Sequence, residues 1–340
     1  MTGRTSVKGA DMRAVWVREF GAEDTLTVAD TPDPRPGPGE VLIEVAAAGV
    51  NRADLLFRSG RYHSGPALPA VPGSEGAGTV VAVGPGVAEF ALGDRVLAWG
   101  PLGAPGFYRE LAVVDAGRAL PVPADVSLSA AAALPVAWLS AWYCLHRLAE
   151  VRAGETVLVY AAASGVGSAA VQIAKDAGAR VIAVVGSAEK QSWVRELGAD
   201  ETLDHSFVDV ATEVGRLTDG RGAEVALDLV GGDAFSTSVR SVGRIGRVVA
   251  LANVALAPST IDTRDFYPKN VTIHGFQITD LMQHGWDPRP DLRSLLGALA
   301  ERRFTVPIDA TFPLDQAAEA HRRLASRITR GKIVLTPASG

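Results

Sequence analysis

The sequence predicts an α/β protein: a doubly wound parallel sheet of six strands joined to a second, β-rich lobe. Between Glu155 and Phe276, apolar strand-like runs alternate with helix-like segments, the pattern of βα units feeding one parallel sheet. The opening third is different, with short apolar runs broken by Gly and Pro. The chain's 340 residues, 47% of them apolar, also suit two cores better than one.

In chain order, "MRAVWV" leads into a first strand and "PDPRPGPGE" is a loop. "VLIEVAAAGV" is a nearly continuous buried strand. "EGAGTVVAVG", "GDRVLAWG" and "RELAVVD" follow between glycine turns. From Ser129 the pattern becomes an Ala-rich helix, "SLSAAAALPVAWLSAWYCLHRL", punctuated by Pro135. Six strands come next: "TVLVYAA", "RVIAVVG", "ETLDH", "EVALDLVGG", "GRVVALA" and "VTIHGF". The helices between them include "SAAVQIAKDAG" and "AEKQSWVRELG". After the Pro-rich turn "WDPRPD", two more helices and "GKIVLTP" are expected to rejoin the first lobe.

Lys plus Arg (33) nearly balance Asp plus Glu (38), so no field is available to attract phosphate backbones or anionic lipid. Neither nucleic-acid nor membrane binding is expected. A single cysteine, Cys144, excludes an intramolecular disulfide and a thiolate cage, and it reads as a small core residue. No apolar stretch reaches membrane-spanning length, and "MTGRTSVKGAD" lacks an apolar signal core. A soluble, cytoplasmic protein with a flexible tail over residues 1–11 is expected.

The stretch Ala161–Lys190 carries the chemistry. A buried strand stops, the chain turns through "ASGVG", and a helix with an alanine face begins. At such a junction the first helical N–H groups are unpaired and the helix dipole is positive, so a pyrophosphate can bind if no side chain blocks it. Ser164, Gly165, Val166 and Gly167 form that turn. The match to Gly-x-Gly-x-x-Gly is partial: Ala162 and Ser164 hold the first two glycine positions, and Gly167 holds the third. A ligand-free βα turn would look similar. The strand that follows at once favours a dinucleotide. That strand ends in "VVGSAEK", where NAD binders carry an acidic residue for the ribose 2′-hydroxyl. Gly186 and Ser187 leave room there and Lys190 offers positive charge, which favours NADPH. Glu189 argues the other way unless it points outward along its helix.

These motifs resemble the medium-chain dehydrogenase/reductase family, in particular its zinc-free quinone oxidoreductase group, which includes zeta-crystallin. The resemblance spans Met12 to Pro337 and rests on "GVNRAD", "PGSEGAGTVVAVGPGV", "GDRV", "AAASGVGSAAVQIAKDAGA", "DLVGG" and "GKIVL" in that order. It implies a GroES-like catalytic domain over 12–128 and 287–340 and an NADPH-binding Rossmann domain over 129–286. Zinc-dependent members carry a ligand Cys where this chain has Asn51 and a ligand His where it has Ser74. Glu75 and Asp54 remain but have lost these co-ligands, and no metal is expected.

Position by position, the resemblance puts Asn51 beside the nicotinamide, with an amide able to bond cofactor or substrate. It makes Tyr62 a proton or hydrogen-bond donor over the ring. Ser140 reaches the nicotinamide or its ribose, Asn253 follows the fifth strand at the carboxyl edge where such sheets bind ligands, and Gly275 and Phe276 lie in the segment whose backbone contacts the carboxamide. Gly186, Lys190 and Arg327 surround the 2′-phosphate, and His205 stands where some relatives have a tyrosine. The implied activity is metal-free hydride transfer from NADPH to a quinone or an α,β-unsaturated carbonyl, with Tyr62 and Asn51 as donors to the developing oxyanion. The alternatives are an enoyl-thioester reductase of fatty-acid or polyketide type and a non-catalytic NADPH-binding protein. A short-chain dehydrogenase is excluded, because none of the five tyrosines has a lysine four residues on. No Gly-x-Ser-x-Gly elbow for a serine hydrolase is present either. The family also implies a homodimer paired through the edge strand 271–276.

Overall fold

The computed structural model describes residues 11–63 and 65–337; the tail expected at the N-terminus lies, apart from Asp11, outside the described residues. The chain divides into two compact units. The first runs to Val136 and includes Leu292–Ala300 and the chain from Ile308. The second comprises Ala137–Asp291 and Glu301–Pro307.

Seven strands open the first unit: β1 (Asp11–Val17), β2 (Leu26–Pro32), β3 (Glu40–Val50), β4 (Glu75–Val83), β5 (Arg95–Trp99), β6 (Leu111–Asp115) and β7 (Ala119–Pro121). The second unit supplies β8 (Thr156–Val159), β9 (Arg180–Val185), β10 (Glu201–Asp204), β11 (Ala223–Asp228), β12 (Val242–Ala250) and β13 (Thr272–Gly275). The chain then returns to the first unit with β14 (Ile308–Pro313) and β15 (Lys332–Thr336).

In the second unit the six strands form one parallel sheet in the order β10-β9-β8-β11-β12-β13. Its central strands are buried along nearly their whole length, as a sheet covered by helices on both faces requires. Leu158, Ile182, Val184 and Val248 lie at the centre of its core. The order reverses between β8 and β11, so the carboxyl ends of these two strands mark the switch point at which such sheets take ligands. At the far end, β13 is an edge strand whose Thr272 and Ile273 are exposed.

In the first unit, β14-β15-β3-β4-β5-β7 form a seven-stranded sheet in which β6 also pairs with β3; a separate hairpin joins β1 to β2. Pairing is antiparallel except between β14 and β15. Three of these strands are not apparent in the sequence. β2 and β14 contain no buried residue, and β7 has only three residues. Backbone pairing, not a hydrophobic pattern, fixes β2 and β14, and β7, with Ala119 and Leu120 buried, is too short to show one.

The Ala-rich segment is not one uniform helix. Ser127 caps Leu128–Ala132 by accepting from Ala130 N at 3.2 Å. Pro135 then lies in a wider, π-type turn over Leu134–Trp138; a helical stretch Leu139–Tyr143 and a second such turn over Cys144–Leu148 follow. Pro135 lacks an N–H and cannot continue the regular ladder. Cys144 is fully buried, and its surroundings push its thiol pKa up. Among the described residues, no helix is long and apolar enough to cross a membrane.

Candidate functional site

The dinucleotide-like turn is built as its sequence suggests. β8 ends at Val159, the chain turns through Ala161 in the left-handed region (φ 46°), and Ser164 caps the helix Gly165–Asp176. Ser164 Oγ accepts from Gly167 N at 3.0 Å, and the first regular helical bond runs from Ser168 N to Ser164 O at 2.8 Å. The backbone N–H groups of Gly165 and Val166 precede that bond and lie at a partly exposed helix start, where an anion is received. Gly167 has to be glycine. A Cβ there would come within 2.3 Å of Ala161 O and 2.6 Å of Ala162 Cα, so the helix could not approach the strand.

At the end of β9, Ser187 caps the next helix, Ala188–Glu196, by accepting from Lys190 N at 3.3 Å. A Cβ on Gly186 would lie 3.0 Å from His205 Nε2, so the exposed His205 ring at the end of β10 borders the space above Gly186. Glu189 is exposed and Lys190 half-buried. The donor set and the open backbone fit a dinucleotide bearing a phosphate next to Gly186.

A cavity of about 350 Å³ opens at the carboxyl ends of β11, β12 and β13, lined among others by Asp228, Leu251, Asn253, Gly275 and Phe276. Asn253 sits against Gly231, and its amide is turned into its own loop: Nδ2 donates to Ala257 O at 2.9 Å, and Oδ1 accepts from Ala257 N at 3.4 Å. Asp228 is fully buried and holds the adjoining turn by accepting from Val230 N and Gly231 N. Burial outweighs these bonds and pushes its pKa up to about 6. Phe276 packs its ring on Tyr143 (centroids 5.6 Å apart), and Tyr143 packs on Trp286 (4.7 Å). Of three aromatics between β12 and the next return to the first unit, Phe266 and Trp286 pack inward and Tyr267 is exposed. Ser140 is buried in the same unit.

Asn51, Tyr62 and Arg327 belong to the first unit. Tyr62 is half-buried on the Val17, Phe57 and Ala70 cluster, with its ring 4.4 Å from that of His63. Arg327 is exposed and sits close enough to Arg52 to help lower that group's pKa, after burial, which is the larger cause.

Asn51 caps the helix Arg52–Arg58 in a capping box with Asp54, and its side chain is held on both sides. Nδ2 donates to Glu75 Oε1 at 2.8 Å, and Oδ1 accepts from Lys332 Nζ at 2.6 Å. Lys332 Nζ also donates to Glu75 Oε1 (2.7 Å) and Val50 O (3.1 Å), and Val136 N donates to Glu75 Oε2 (2.7 Å). Glu75 and Asp54, left without the co-ligands a zinc site needs, are held instead by other groups of this unit. Asp54 accepts from Asn51 N, Gly73 N and Tyr108 Oη, and Tyr108 Oη lies 3.2 Å from His321 Nε2. Sequence reasoning missed Lys332, Tyr108 and His321. Only Lys332 left a signal, as an ionisable residue opening the apolar strand "KIVL". These donors do not fit zinc. Asn51 and Ser74 replace two strong ligands, an ammonium lies against Glu75, and no metal-binding group of three His, Cys, Asp or Glu exists among the described residues.

Two family descriptions match the chain: "Alcohol dehydrogenase GroES-like domain" over residues 37–124 and "Zinc-binding dehydrogenase" over 165–295. A quinone oxidoreductase of Pseudomonas aeruginosa is 38% identical over 94% of this chain and 97% of its own length. The chain belongs to the quinone oxidoreductase group of the medium-chain dehydrogenase/reductase family. Among solved structures of this family, an Escherichia coli quinone oxidoreductase complexed with NADPH superposes with a TM-score of 0.88 at 29% identity, covering 96% of this chain and all of that one. The similarity extends to a Mycobacterium tuberculosis phthioceranic/hydroxyphthioceranic acid synthase, 33% identical over 94% of this chain but only 15% of the synthase.

Within this oxidoreductase, the buried line His321–Tyr108–Asp54 has opposing responses to pH. Burial lowers the His321 pKa to about 3, with the Arg58 charge adding to it, and burial raises that of Asp54 to about 6. The His321 contribution to stability is lost as pH falls below about 6.5, because the unfolded state takes up a proton that the folded state refuses. The Asp54 contribution has the opposite sign and is lost as pH rises from about 4 to 6. The two slopes largely cancel between pH 4 and 6. A His321→Gln variant keeps only the Asp54 slope, so relative to the parent it gains stability on going from pH 6 to pH 4, by on the order of 1 kcal/mol per pH unit at most. Urea denaturation at pH 4, 5, 6 and 7 measures this, and parallel pH profiles for the two proteins would refute it.

Proposed function

We propose that the protein is a zinc-independent, NADPH-dependent reductase of quinones or α,β-unsaturated carbonyls. The observation that carries this reading is the Ser164-capped turn followed by Gly186, Lys190 and His205: an open anion-binding helix start, then a second strand end without an acidic side chain in its first two positions. The E. coli relative crystallised with NADPH supports the same cofactor. NADPH supplies the hydride. The protein's part is to hold the pyrophosphate on the N–H groups of Gly165 and Val166 and the 2′-phosphate near Lys190, with Arg327 as a further cation. Ser140, Asn253 and Phe276 border the nicotinamide end. Asn253 acts through its backbone and loop, because its amide is already bonded to Ala257.

A substrate accepting hydride at carbon develops negative charge on its carbonyl oxygen. Asn51, through its one uncommitted amide N–H, and Tyr62, through its phenol, are the donors we assign to that oxygen, and Tyr62 or water returns the proton. The match to part of a phthioceranic acid synthase favours enoyl-thioester reduction as the second reading. Turnover measured side by side on a benzoquinone, a short enone and a crotonyl thioester separates the two. The exposed edge strand β13, with Ile273 outward, supports a homodimer formed by pairing residues 271–276. We assign the protein to the cytoplasm.

Three outcomes test this reading. Lys190→Ala should weaken NADPH binding by about tenfold and leave NADH binding unchanged; equal effects on both cofactors by fluorescence titration would remove the 2′-phosphate assignment. Tyr62→Phe should lower kcat roughly tenfold or more at unchanged NADPH affinity, and a wild-type rate takes Tyr62 out of the chemistry. Light scattering should report twice the 35.4 kDa chain mass, and a monomer at micromolar concentration would dismiss pairing through β13.

A further inference from the structure

Lys332 is nine-tenths or more buried and Glu75 is completely buried, yet neither has a place in the chemistry proposed above. With Asn51 they close a ring of three side chains. Lys332 Nζ donates to Asn51 Oδ1 (2.6 Å) and to Glu75 Oε1 (2.7 Å), and Asn51 Nδ2 donates to the same Glu75 oxygen (2.8 Å). The third ammonium proton goes to Val50 O, and the other carboxylate oxygen accepts from Val136 N. The ring decides the orientation of an amide that is otherwise two-fold ambiguous: oxygen toward the ammonium, nitrogen toward the carboxylate. Turning it over would set two donors against the ammonium and an oxygen against a carboxylate. Of the amide's two N–H groups, one is left for another partner.

We propose that Lys332 and Glu75 are positioning residues that lock Asn51 with an N–H, rather than its oxygen, available to the oxyanion formed during reduction. This rests on the reading of Asn51 as a donor. A lock of this kind stabilises the transition state more than the bound substrate, so its loss falls on kcat and leaves KM and cofactor affinity nearly unchanged.

The test is a double-mutant cycle on the full-length protein with 1,4-benzoquinone and NADPH. The pair Lys332→Met/Glu75→Gln removes both charges together, which avoids leaving either buried alone. In that pair the introduced amide keeps its oxygen on Val136 N, so its NH2 group faces Asn51 and favours the inverted orientation. The pair variant should lose at least tenfold in kcat, with the NADPH dissociation constant within twofold of wild type. Asn51→Ala should cost a similar factor in the wild-type background and almost nothing more in the pair background, because the donor is already misdirected. Factors that multiply would mean the ring does not act through Asn51 and would overturn the proposal, as would an unchanged kcat in the pair variant. If Asn51→Ala alone leaves kcat unchanged, Asn51 is no donor, and both the lock and that part of the functional reading fall. A costly Asn51→Ala beside an active pair variant sinks the lock alone. Should the pair variant not fold, Lys332→Gln replaces it. That substitution retains a neutral donor toward Asn51 Oδ1 and should keep kcat well above that of Lys332→Met, and equal rates for these two would overturn the lock.

Discussion

Burying an ammonium and a carboxylate together is costly, and the cost is offset only when every ammonium proton and both carboxylate oxygens find partners. The Lys332–Glu75 pair meets that demand, and the first unit is organised to let it. The ammonium comes from the first residue of β15 and the carboxylate from the first residue of β4, while Val50 O and Asn51 come from the end of β3 between them. The register that pairs Ile333 with Val50 and Ala48 with Gly76 brings these three strand ends together. Gly49 shows how tight the packing is, because a Cβ there would lie 2.2 Å from Glu75 Oε1. The departure from regular helix around Pro135 contributes as well. Val136 N, directed to a carboxylate instead of a helical carbonyl, completes the set.

The second unit solves a different problem with small residues instead of charges. An anion can be held by backbone N–H groups only where side chains stay away. Gly167 lets the helix close on its strand, and Ser164 satisfies Gly167 N itself, leaving the first two N–H groups facing outward. Gly186 keeps the end of β9 open beside His205. None of the three small residues carries a formal charge, so the phosphate binding proposed here would draw on oriented dipoles, with Lys190 as the nearby cation.

These two halves differ in how readable they are. The phosphate turn is local: strand, turn, helix and second strand occupy some thirty consecutive residues, and each step has its own sequence signal. The central strands of the parallel sheet, β8 and β9 above all, are apolar almost throughout and are legible for that reason. β2 and β14 are not, because no side chain of either is buried. The ring around Asn51 is non-local. Asn51 and Glu75 are separated by 24 residues, but Lys332 reaches Asn51 across 281. No spacing rule links such positions, so sequence reasoning finds two leftover acids and cannot see the cation that accounts for one of them.

On the proposed zinc-independent reading, that cation takes over the positioning that a metal would otherwise supply. In a metal-dependent reductase, a divalent ion both orients the substrate carbonyl and takes up its developing charge. Here the cluster formed by Lys332 and Glu75 carries no formal net charge, so it cannot act as a strong electrophile. What it can do is hold an amide rigidly. A preoriented neutral donor stabilises an oxyanion without competing for it in the ground state as a metal does, which suits acceptors such as quinones that take hydride readily. On that reading the chemistry left to the protein is orientation, and orientation is what a closed ring of hydrogen-bonded side chains supplies.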